Sequence, residues 1–399
     1  MGIISIQKYY SRGAKMNITI VTDVLGAENN GTTVACMNFI RHLQSQNHNV
    51  KILCSDQDKK GLPNYYIVPN LNLGPFNALV KKNGVSLSKP KTSVVKEALK
   101  DADIVHIMLP FALGKKAMKI AKKNNLPTTC GCHMQAENFS SQLKMQDVKW
   151  FNNLVYKTVF KTYKQADAIH YPTQFMKDTL EKAVKKSTNG YIISNGVNKF
   201  IQKKDCPKPA EFKDKIVILS TGRYTNEKAQ WVLIEAIKQS KYKDKIQLIL
   251  AGQGPTESKL IEHAKGLPVP PIMKLFPREE MNEIINYADI YVHPAEMELE
   301  GIACIEAISC GKLTIVNDSD RSATKNFAID EKCIFKMRNP KDLAEKIDYW
   351  IEHEDERKEY EDKYLNSSVA YDQEECMKRM EQMLYEVMNA HKQKTGKLA

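Results

Sequence analysis

Short apolar runs alternate with longer amphipathic segments along the whole of this 399-residue chain. Brief apolar runs bounded by polar residues predict buried strands, and the amphipathic segments between them predict helices that connect parallel strands. In the first half we predict strands at Ile18–Thr22, Val50–Cys54, Ile104–Met108, Thr128–Gly131 and Ala168–Tyr171. In the second half we predict strands at Ile216–Thr221, Gln247–Ala251, Asp289–His293 and Leu313–Val316. The pattern therefore predicts an α/β protein.

A polar stretch rich in lysine and proline, from Lys199 to Lys213, interrupts this alternation and predicts a linker. Two open sheets in tandem leave a cleft between their strand ends, where ligands commonly bind. The last segment is amphipathic and is expected to fold back onto the first domain. The predicted division is an N-terminal extension over 1–15, a Rossmann-like domain over 16–195, a linker over 196–213, a second Rossmann-like domain over 214–370 and the returning helix over 371–399.

Positive charge exceeds negative charge, with 59 lysines and arginines against 47 aspartates and glutamates and a net charge of +12. The lysines concentrate around residues 81–96, 115–123 and 149–164. This balance suits nucleic acid, an anionic membrane surface or a phosphorylated substrate. The apolar runs are too short to cross a bilayer, and no signal-peptide pattern opens the chain. Nine cysteines without metal-like spacing fit the reduced thiols of a cytoplasmic protein.

Two carboxylates, Glu298 and Glu306, bracket Gly301 directly after one predicted strand and before a helix-like stretch. The loop after a strand and the start of the next helix form the ligand crevice of an open α/β sheet. Free backbone N–H groups there suit a phosphate, and carboxylates accept hydrogen bonds from ribose or sugar hydroxyls. The pattern predicts a nucleotide-sugar site. The alternative interpretation is a capped surface helix with two solvated glutamates.

A second loop follows another predicted strand and contains Gly222, Arg223 and Lys228. The glycine permits a tight turn, and the two cations lie at the start of the next helix. Such a pair would neutralise the charge that develops on a diphosphate leaving group. A solvated basic loop is the alternative interpretation.

Taken together, these features resemble the retaining glycosyltransferases of family 4, which have the GT-B fold of two Rossmann-like, parallel-sheet domains that face each other across a cleft. The resemblance covers nearly the whole chain from Met16. It implies that the second domain binds a nucleotide-sugar donor and that the first domain binds the acceptor. It also implies that Arg223 and Lys228 hold the diphosphate of the donor.

The resemblance gives the carboxylate loop specific roles. Glu298 would lie beside the transferred sugar, and Glu306 would accept hydrogen bonds from the ribose. The backbone N–H groups of Ile302 and Ala303 would face the phosphates at the start of the helix. The chain departs from the family at Glu300, where an aromatic residue is more usual. Glu300 therefore competes with Glu298 for the sugar-facing role.

Further positions of the chain match the family pattern. In the first domain, Gly31 belongs to a glycine loop that would approach the donor phosphates, and His133 matches a cleft histidine that contacts the donor sugar. A buried or surface histidine without a catalytic role is the alternative for His133. Gly254 lies in a loop expected near the nucleotide, and Lys274–Pro277 would lie near the base. Asn195–Val197 matches a turn between the domains.

Three Asp-x-Asp triplets, which begin at Asp56, Asp101 and Asp318, raise the possibility of a divalent metal. None is followed by further ligand spacing, so we predict no metal site. We also predict no cofactor, with the UDP-sugar acting as a co-substrate. Arg223 and Lys228 would then neutralise the diphosphate in place of a metal.

Basic segments with apolar residues suggest where an acceptor is met. One is the predicted helix around residues 149–164, whose alternative interpretation is a helix that buries its apolar face in the core. The other is the stretch from Pro75 to Lys82. Family members that glycosylate diacylglycerol use such surfaces on the first domain. We therefore predict a peripheral membrane enzyme on the inner face of the cell membrane that forms an α-linked glycolipid from a UDP-hexose and an acceptor such as diacylglycerol.

Other functions remain open at this stage. The acceptor could be soluble, such as a polysaccharide or a teichoic acid, or the protein could be a nucleotide-sugar 2-epimerase of the same architecture. A nucleic-acid-binding protein is disfavoured because the chain contains no recognisable binding module. A nicotinamide-dependent dehydrogenase is disfavoured because no G-x-G-x-x-G motif follows the first strand of either domain.

Overall fold

The computed structural model describes residues 15–23, 25, 31–72, 74, 88–141 and 145–396. Two parallel sheets form the centres of two α/β domains. The first sheet contains β1 (Asn17–Val21), β2 (Asn49–Cys54), β3 (Tyr65–Ile67), β4 (Ile104–Ile107), β5 (Thr128–Gly131), β6 (Ala168–Tyr171) and β7 (Gly190–Ile192). The second sheet contains β8 (Ile216–Thr221), β9 (Ile246–Ala251), β10 (Ile272–Lys274), β11 (Ile290–His293), β12 (Leu313–Asn317) and β13 (Ile334–Phe335).

Helices connect these strands. Those of the first domain are α1 (Gly31–Ser45), α2 (Thr92–Ala98), α3 (Ala112–Lys123), α4 (Ala136–Ser141), α5 (Lys149–Tyr163) and α6 (Gln174–Val184). Those of the second domain are α7 (Gln230–Gln239), α8 (Glu257–Ala264), α9 (Met281–Tyr287), α10 (Ile302–Ser309), α11 (Pro340–Glu352) and α12 (Glu354–Ser367). Neighbouring residues of β2 enter different cores, Ile52 on one face of the sheet and Leu53 on the other. Burial on both faces explains why apolar residues predominate in most of the central strands.

The order of the strands locates the ligand crevices. It is β3-β2-β1-β4-β5-β6-β7 in the first sheet and β10-β9-β8-β11-β12-β13 in the second. The direction of winding reverses between β1 and β4 and between β8 and β11. In an open α/β sheet the crevice lies at the carboxyl ends of the strands beside such a reversal. The loops that follow β8 and β11 carry the two candidate motifs of the second domain, so both motifs lie at the crevice.

All nine strands predicted from the apolar runs are confirmed to within one residue at each end. The pattern missed β3, β7, β10 and β13. Each of these is a two- or three-residue strand at the edge of its sheet. An edge strand pairs on one side only and is partly exposed, so it does not need the continuous apolar run that reveals a central strand.

The chain crosses between the domains at two adjacent segments. The Val197 N–H donates to the Tyr371 carbonyl at 2.8 Å, and the Gln373 N–H donates to the Val197 carbonyl at 3.1 Å. Gly196 has a φ of +74°, and a Cβ placed there would lie 2.5 Å from the Gln373 Cα. Only glycine fits this close approach. We call this pair of crossing segments, 194–197 and 371–373, the hinge.

After the hinge, the helix α13 (Gln373–Thr395) returns to the first domain. Met380 and Leu384 are buried in the same core as the α1 residue Phe39. At the border of this contact the Glu381 carboxylate lies 2.8 Å from His42 Nε2 and 3.0 Å from His48 Nε2. The C-terminal segment is thus an integral part of the first domain.

Two predictions concern residues outside the described ranges. These are the N-terminal extension, except for Lys15 at its end, and the basic stretch from Pro75 to Lys82. In the part of the chain that is described, no helix combines the length and the apolar character needed to cross a bilayer.

Candidate active site

The candidate site is formed by the loop after β8, the loop after β11 and the start of α10. Glu298 lies at its centre. Its Oε1 accepts a hydrogen bond from the Lys228 ammonium and another from His293 Nε2 at 2.9 Å. The predicted cation and the predicted carboxylate are therefore in direct contact, although 70 residues separate them in the chain.

A relay of hydrogen bonds continues from Glu298 into the sheet. The Nδ1 of His293 lies 3.0 Å from the Tyr291 hydroxyl, which lies 3.0 Å from the Thr221 hydroxyl. When Nε2 of a neutral imidazole donates to the carboxylate, Nδ1 is left to accept from the tyrosine. Tyr291 and His293 were not predicted as site residues because they end an apolar strand. A sequence signal could have found them: Tyr291 and His293 are two residues apart in the strand, so both side chains lie on the same face of β11.

Glu298 is ionised in this environment. Burial by itself would raise the pKa of this carboxyl, but the charge of Lys228 and the hydrogen bond from His293 outweigh burial and bring the pKa down to about 2. An ionised carboxylate in a nearly dry site is a strong acceptor for hydroxyl groups. The site thus offers a fixed negative charge beside a lysine that a bound anion would share.

Arg223 lies exposed at the entrance of the same loop. Its guanidinium makes no hydrogen bond or ion pair with any residue that the structure describes. Gly222 has a φ of +147°, and a Cβ on Gly252 would come within 2.0 Å of the Gly222 carbonyl oxygen. The glycines thus allow two backbone loops to approach closely. Gly254 acts similarly, because a Cβ there would lie 2.4 Å from the Tyr224 carbonyl oxygen.

Gly301 begins α10 in the left-handed region, with a φ of +81°. Its carbonyl accepts from the N–H groups of Cys304 at 2.8 Å and Ile305 at 3.1 Å. The N–H groups of Ile302 and Ala303 precede these and have no acceptor within the helix. Two backbone donors and the positive end of the helix dipole are therefore available to an anion at this point.

Glu306 lies one turn further along α10 and is buried. Its Oε1 accepts from Arg278 Nη2 at 2.5 Å, while the Arg278 side chain remains 56% exposed. Sequence reasoning missed Arg278, which is 28 residues away along the chain. Its role is to hold one oxygen of the carboxylate that was predicted to bind ribose.

Glu300 points away from Lys228 and towards the hinge. The sequence left it as a competitor of Glu298 for the sugar, but its carboxylate accepts from Ser194 and Asn195 at the hinge instead. Its Oε1 lies 2.5 Å from the Ser194 hydroxyl and 2.8 Å from the Asn195 nitrogen. The structure separates the two acids: Glu298 lies beside the Lys228 cation, and Glu300 lies at the hinge. The role of either acid at the sugar stays a prediction.

The first domain contributes His133, which directly follows β5. The ring is 8% exposed and lies against the His170 ring with 5.3 Å between centroids. Burial lowers the pKa of His133 well below its usual value, and its Nε2 has no hydrogen-bond partner within the described ranges. A Cβ on Gly131 would lie 2.6 Å from this ring. Gly31 is the first residue of α1 and is exposed, while residues 26–30 before it lie outside the described ranges.

One aspartate of each Asp-x-Asp triplet holds the backbone. Asp56, Asp103 and Asp318 each accept from a backbone N–H, at 2.6, 2.7 and 2.8 Å. Within the described ranges no group of three or more His, Cys, Asp or Glu residues is arranged to hold a metal ion. Independence from metal and cofactor stays a prediction.

Both halves of the chain match known families. Residues 29–199 match Glycosyltransferase Family 4, and residues 201–364 match Glycosyl transferases group 1. The two matches meet within a few residues of the hinge and together cover most of the chain. Their order is the order of the two domains.

Individual proteins and structures agree with this. The alpha-monoglucosyldiacylglycerol synthase of Acholeplasma laidlawii is 22% identical over 317 residues, which are 73% of this chain and 77% of that protein. The synthase of the same name from Streptococcus pneumoniae is 22% identical over 319 residues, which are 76% of this chain and 71% of that protein. A crystal structure of Anabaena HepE with UDP and glucose has a TM-score of 0.70 at 14% identity, over 93% of this chain and 100% of that chain.

Proposed function

Because the chain belongs to the family 4 glycosyltransferases and is a hexosyltransferase with the GT-B fold, we propose that it moves a hexose from a UDP-sugar to a lipid hydroxyl at a membrane surface. Diacylglycerol is the acceptor we propose, and the product is an α-linked glycolipid. The relatives named as monoglucosyldiacylglycerol synthases support this acceptor, and the HepE structure with UDP supports this nucleotide.

One observation carries the donor half of the proposal. The ionised Glu298, the Lys228 ammonium and the free N–H groups that begin α10 are brought together at the carboxyl ends of β8 and β11. Carboxylates accept from sugar and ribose hydroxyls, while cations and helix N-termini bind phosphates. This combination is the chemistry that a nucleoside-diphosphate sugar requires.

The residues divide the donor between them. Glu306, held by Arg278, accepts from the ribose hydroxyls. The N–H groups of Ile302 and Ala303 bind the diphosphate, and Glu298 accepts from hydroxyls of the transferred hexose.

The cations act on the leaving group. Lys228 pairs with Glu298 in the structure, and the bound diphosphate shares its charge. The guanidinium of Arg223, which has no partner among the described residues, turns to the same phosphates. Both cations stabilise the negative charge that grows on the diphosphate as the glycosidic bond breaks.

In the transfer step the bond from the anomeric carbon to the diphosphate oxygen breaks, and a bond from that carbon to the acceptor oxygen forms on the same face. The proton of the acceptor hydroxyl passes to an oxygen of the departing diphosphate. Closure of the two domains brings His133 and the Gly31 loop onto the donor and excludes water. The neutral imidazole of His133 supplies a hydrogen bond to the sugar rather than a charge.

The surface of the first domain supports a membrane-bound acceptor. On α5, the buried face carries Tyr156 and Tyr163, so this helix does contribute to the core. Its opposite face exposes Trp150 and Leu154, which are 67% and 53% exposed. Phe139 on the neighbouring α4 is 53% exposed.

Lysines continue the apolar stripe on α5. Lys157 and Lys161 follow Trp150 and Leu154 at helical spacing, and both are exposed. A helix face with aromatic and aliphatic groups at one end and lysines at the other suits the headgroup region of an anionic bilayer. We call Phe139, Trp150, Leu154, Lys157 and Lys161 the α5 surface.

A donor screen tests this proposal. The purified protein is given UDP-glucose, UDP-galactose or UDP-N-acetylglucosamine with anionic vesicles that carry or lack diacylglycerol, and free UDP and the glycolipid product are measured. The expected result is UDP release with at least one donor only when diacylglycerol is present. Release without any acceptor would favour a 2-epimerase or hydrolase. Release that requires a sterol, a polyprenyl lipid or a soluble glycan would refute diacylglycerol, and no binding of any UDP-sugar would refute the donor.

A further inference from the structure

Three successive residues of the loop between β11 and α10 contact three different parts of the molecule. Glu298 contacts Lys228 within the second domain. The Leu299 side chain packs against the core of the first domain, and its carbonyl accepts from the Thr173 hydroxyl of that domain at 2.9 Å. Glu300 reaches the hinge. The loop that faces the donor is therefore attached to the opposite domain on two sides.

The Glu300 carboxylate is fully engaged at the hinge. It accepts from the Ser194 hydroxyl, from the Asn195 backbone nitrogen and from the Asn195 side-chain amide, and it is only 4% exposed. Ser194 also accepts from the Gly196 N–H at 3.0 Å. A buried carboxylate with three donors holds their positions firmly, because loss of any one partner leaves a desolvated polar group. The crossing segment cannot shift without breaking these bonds.

We propose that Glu300 is a positioning residue for sugar transfer, which fixes the donor loop to the hinge and so holds Glu298 in register with the acceptor domain. This inference rests on the proposed function. It follows from the sequence of contacts, because rotation at the hinge moves Glu300 and only one residue lies between Glu300 and Glu298. A misplacement of the sugar-facing carboxylate by about 1 Å can cost about a hundredfold in rate.

The electrostatic surroundings make this contact sensitive to pH. Burial raises the pKa of Glu300 to about 7, partly offset by the hydrogen bonds from Ser194 and Asn195, and the charge of Glu298 adds to the rise. The other titratable groups that face it are Tyr371 and Cys376. The ionised form accepts from all three donors, whereas a protonated oxygen faces a donor and loses a bond. The contact therefore weakens as the pH falls below about 7.

Two variants test the proposal by separating binding from turnover. In Glu300→Ala we expect kcat to fall by about tenfold to a hundredfold, with little change in the Kd of UDP measured by calorimetry. UDP binding is retained because Glu306 and the start of α10 are untouched. Glu300→Gln keeps one oxygen that accepts from Ser194 and Asn195, so it should recover part of kcat. Glutamine does not titrate, so this variant should not show the fall in rate below pH 7 that is expected of the wild type.

Controls distinguish the possible failures. Glu352, which pairs with Lys241 on the surface, is replaced by alanine as the matched control and should leave kcat and KM unchanged. A purely structural role for Glu300 would lower the melting temperature of Glu300→Ala and leave kcat per folded molecule unchanged, which overturns the inference. If Glu300→Ala does not fold, Ser194→Ala removes a single donor and should give a smaller loss of kcat. Absence of UDP-sugar binding by the wild type would refute the proposed function instead.

Discussion

The two domains differ in their electrostatics at the strand ends that face the cleft. In the second domain the polar groups form charged pairs, Glu298 with Lys228 and Glu306 with Arg278. The charges stabilise each other, so the pKa of Glu298 falls to about 2 despite burial. This wall of the cleft holds permanent charges in fixed places before any ligand arrives.

The first domain has three buried histidines in the corresponding region, His106, His133 and His170. Burial lowers the pKa of His106 to about 3 and that of His170 to about 4, so these imidazoles are neutral at physiological pH. Each of the three has one ring nitrogen without a hydrogen-bond partner within the described ranges. These three histidines are neutral dipoles rather than charges, whereas Asp23, just after β1, is a buried carboxyl whose pKa burial raises to about 6.

This difference is consistent with different binding roles for the two domains. A diphosphate needs cations and backbone donors at defined positions, whereas an uncharged sugar and an acceptor hydroxyl need only hydrogen-bonding groups and a dry environment. A positive charge on the first-domain side would also compete with Arg223 and Lys228 for a bound diphosphate. The comparison thus agrees with donor binding on the second domain and predicts where substitutions are most costly.

The largest effect is expected for Lys228→Ala. It removes a cation from the proposed diphosphate site and leaves the buried Glu298 with His293 as its remaining side-chain partner among the described residues. Loss of one such electrostatic partner typically lowers kcat by about a hundred- to a thousandfold, or about 2.7–4 kcal/mol. Stability should fall too, since the pKa of Glu298 rises towards its usual value. Steady-state kinetics and urea unfolding measure both.

Arg223→Ala is the matched comparison for Lys228→Ala. Its guanidinium makes no hydrogen bond or ion pair with a described residue, so the unfolding free energy should change little. Its loss should still slow transfer by a hundredfold or more, about 3 kcal/mol. If Lys228→Ala and Arg223→Ala both turn over at the wild-type rate, the charged wall is not the catalytic one.

Glu306→Ala is expected to act on binding more than on turnover. A hydrogen bond to a charged group contributes about 1.5–3 kcal/mol, so KM for the UDP-sugar should rise by about tenfold to a hundredfold. The discriminating ligands are UDP and its 2′-deoxy analogue. Wild type should bind the deoxy analogue more weakly, and Glu306→Ala should bind both alike. Equal discrimination in both proteins would remove the ribose role from Glu306.

The central strands and both donor motifs were accessible from sequence because each is a local pattern. A buried strand such as β8 is a continuous apolar run, and Glu298 and Glu306 lie a fixed distance apart at the start of one helix. The edge strand β10 has no such run, since it is paired on one side only and none of its residues is fully buried. Local burial thus determines which elements a single sequence reveals.

The orientation of the acids was not accessible, because it depends on partners distant in the chain. Glu298 is selected by Lys228, 70 residues away, and Glu300 by Ser194, 106 residues away. Two glutamates separated by one residue look equivalent until those partners are located. Arg278 was missed for the same reason, as its pairing with Glu306 is a tertiary contact across 28 residues.

The contrast between the walls also predicts how acid affects stability. A histidine whose folded pKa lies below the usual 6.5 binds protons preferentially when unfolded, so stability falls as the pH drops from about 6.5 towards 4. Each such buried histidine costs on the order of 1–2 kcal/mol at pH 5. Glu298 has a depressed pKa, so the stability that its ionised form contributes is fully present above pH 4.5, the usual pKa of a glutamate. This contribution is lost as the pH falls from 4.5 through about 2.

His170→Gln tests this prediction. Glutamine can still donate to the Ile193 carbonyl, which His170 Nε2 contacts at 2.7 Å, but it does not titrate. Urea unfolding between pH 5 and 7 should show a shallower dependence of the unfolding free energy on pH for His170→Gln than for wild type. An unchanged slope would mean that folding does not lower the pKa of His170, and the neutral character of this buried histidine would be refuted.

The smallest effect concerns the outer surface of the first domain. Replacing Lys157 or Lys161 on the α5 surface by alanine should weaken sedimentation with anionic vesicles by about 1 kcal/mol each at low salt. Trp150→Ala should weaken binding at high salt as well, because its contribution is apolar burial and is not screened. Lys259, exposed on α8 of the second domain, is the control position. If Lys259→Ala reduces vesicle binding as much as Lys157→Ala, net charge rather than the α5 surface holds the protein at the membrane, and the two domains do not differ in this respect.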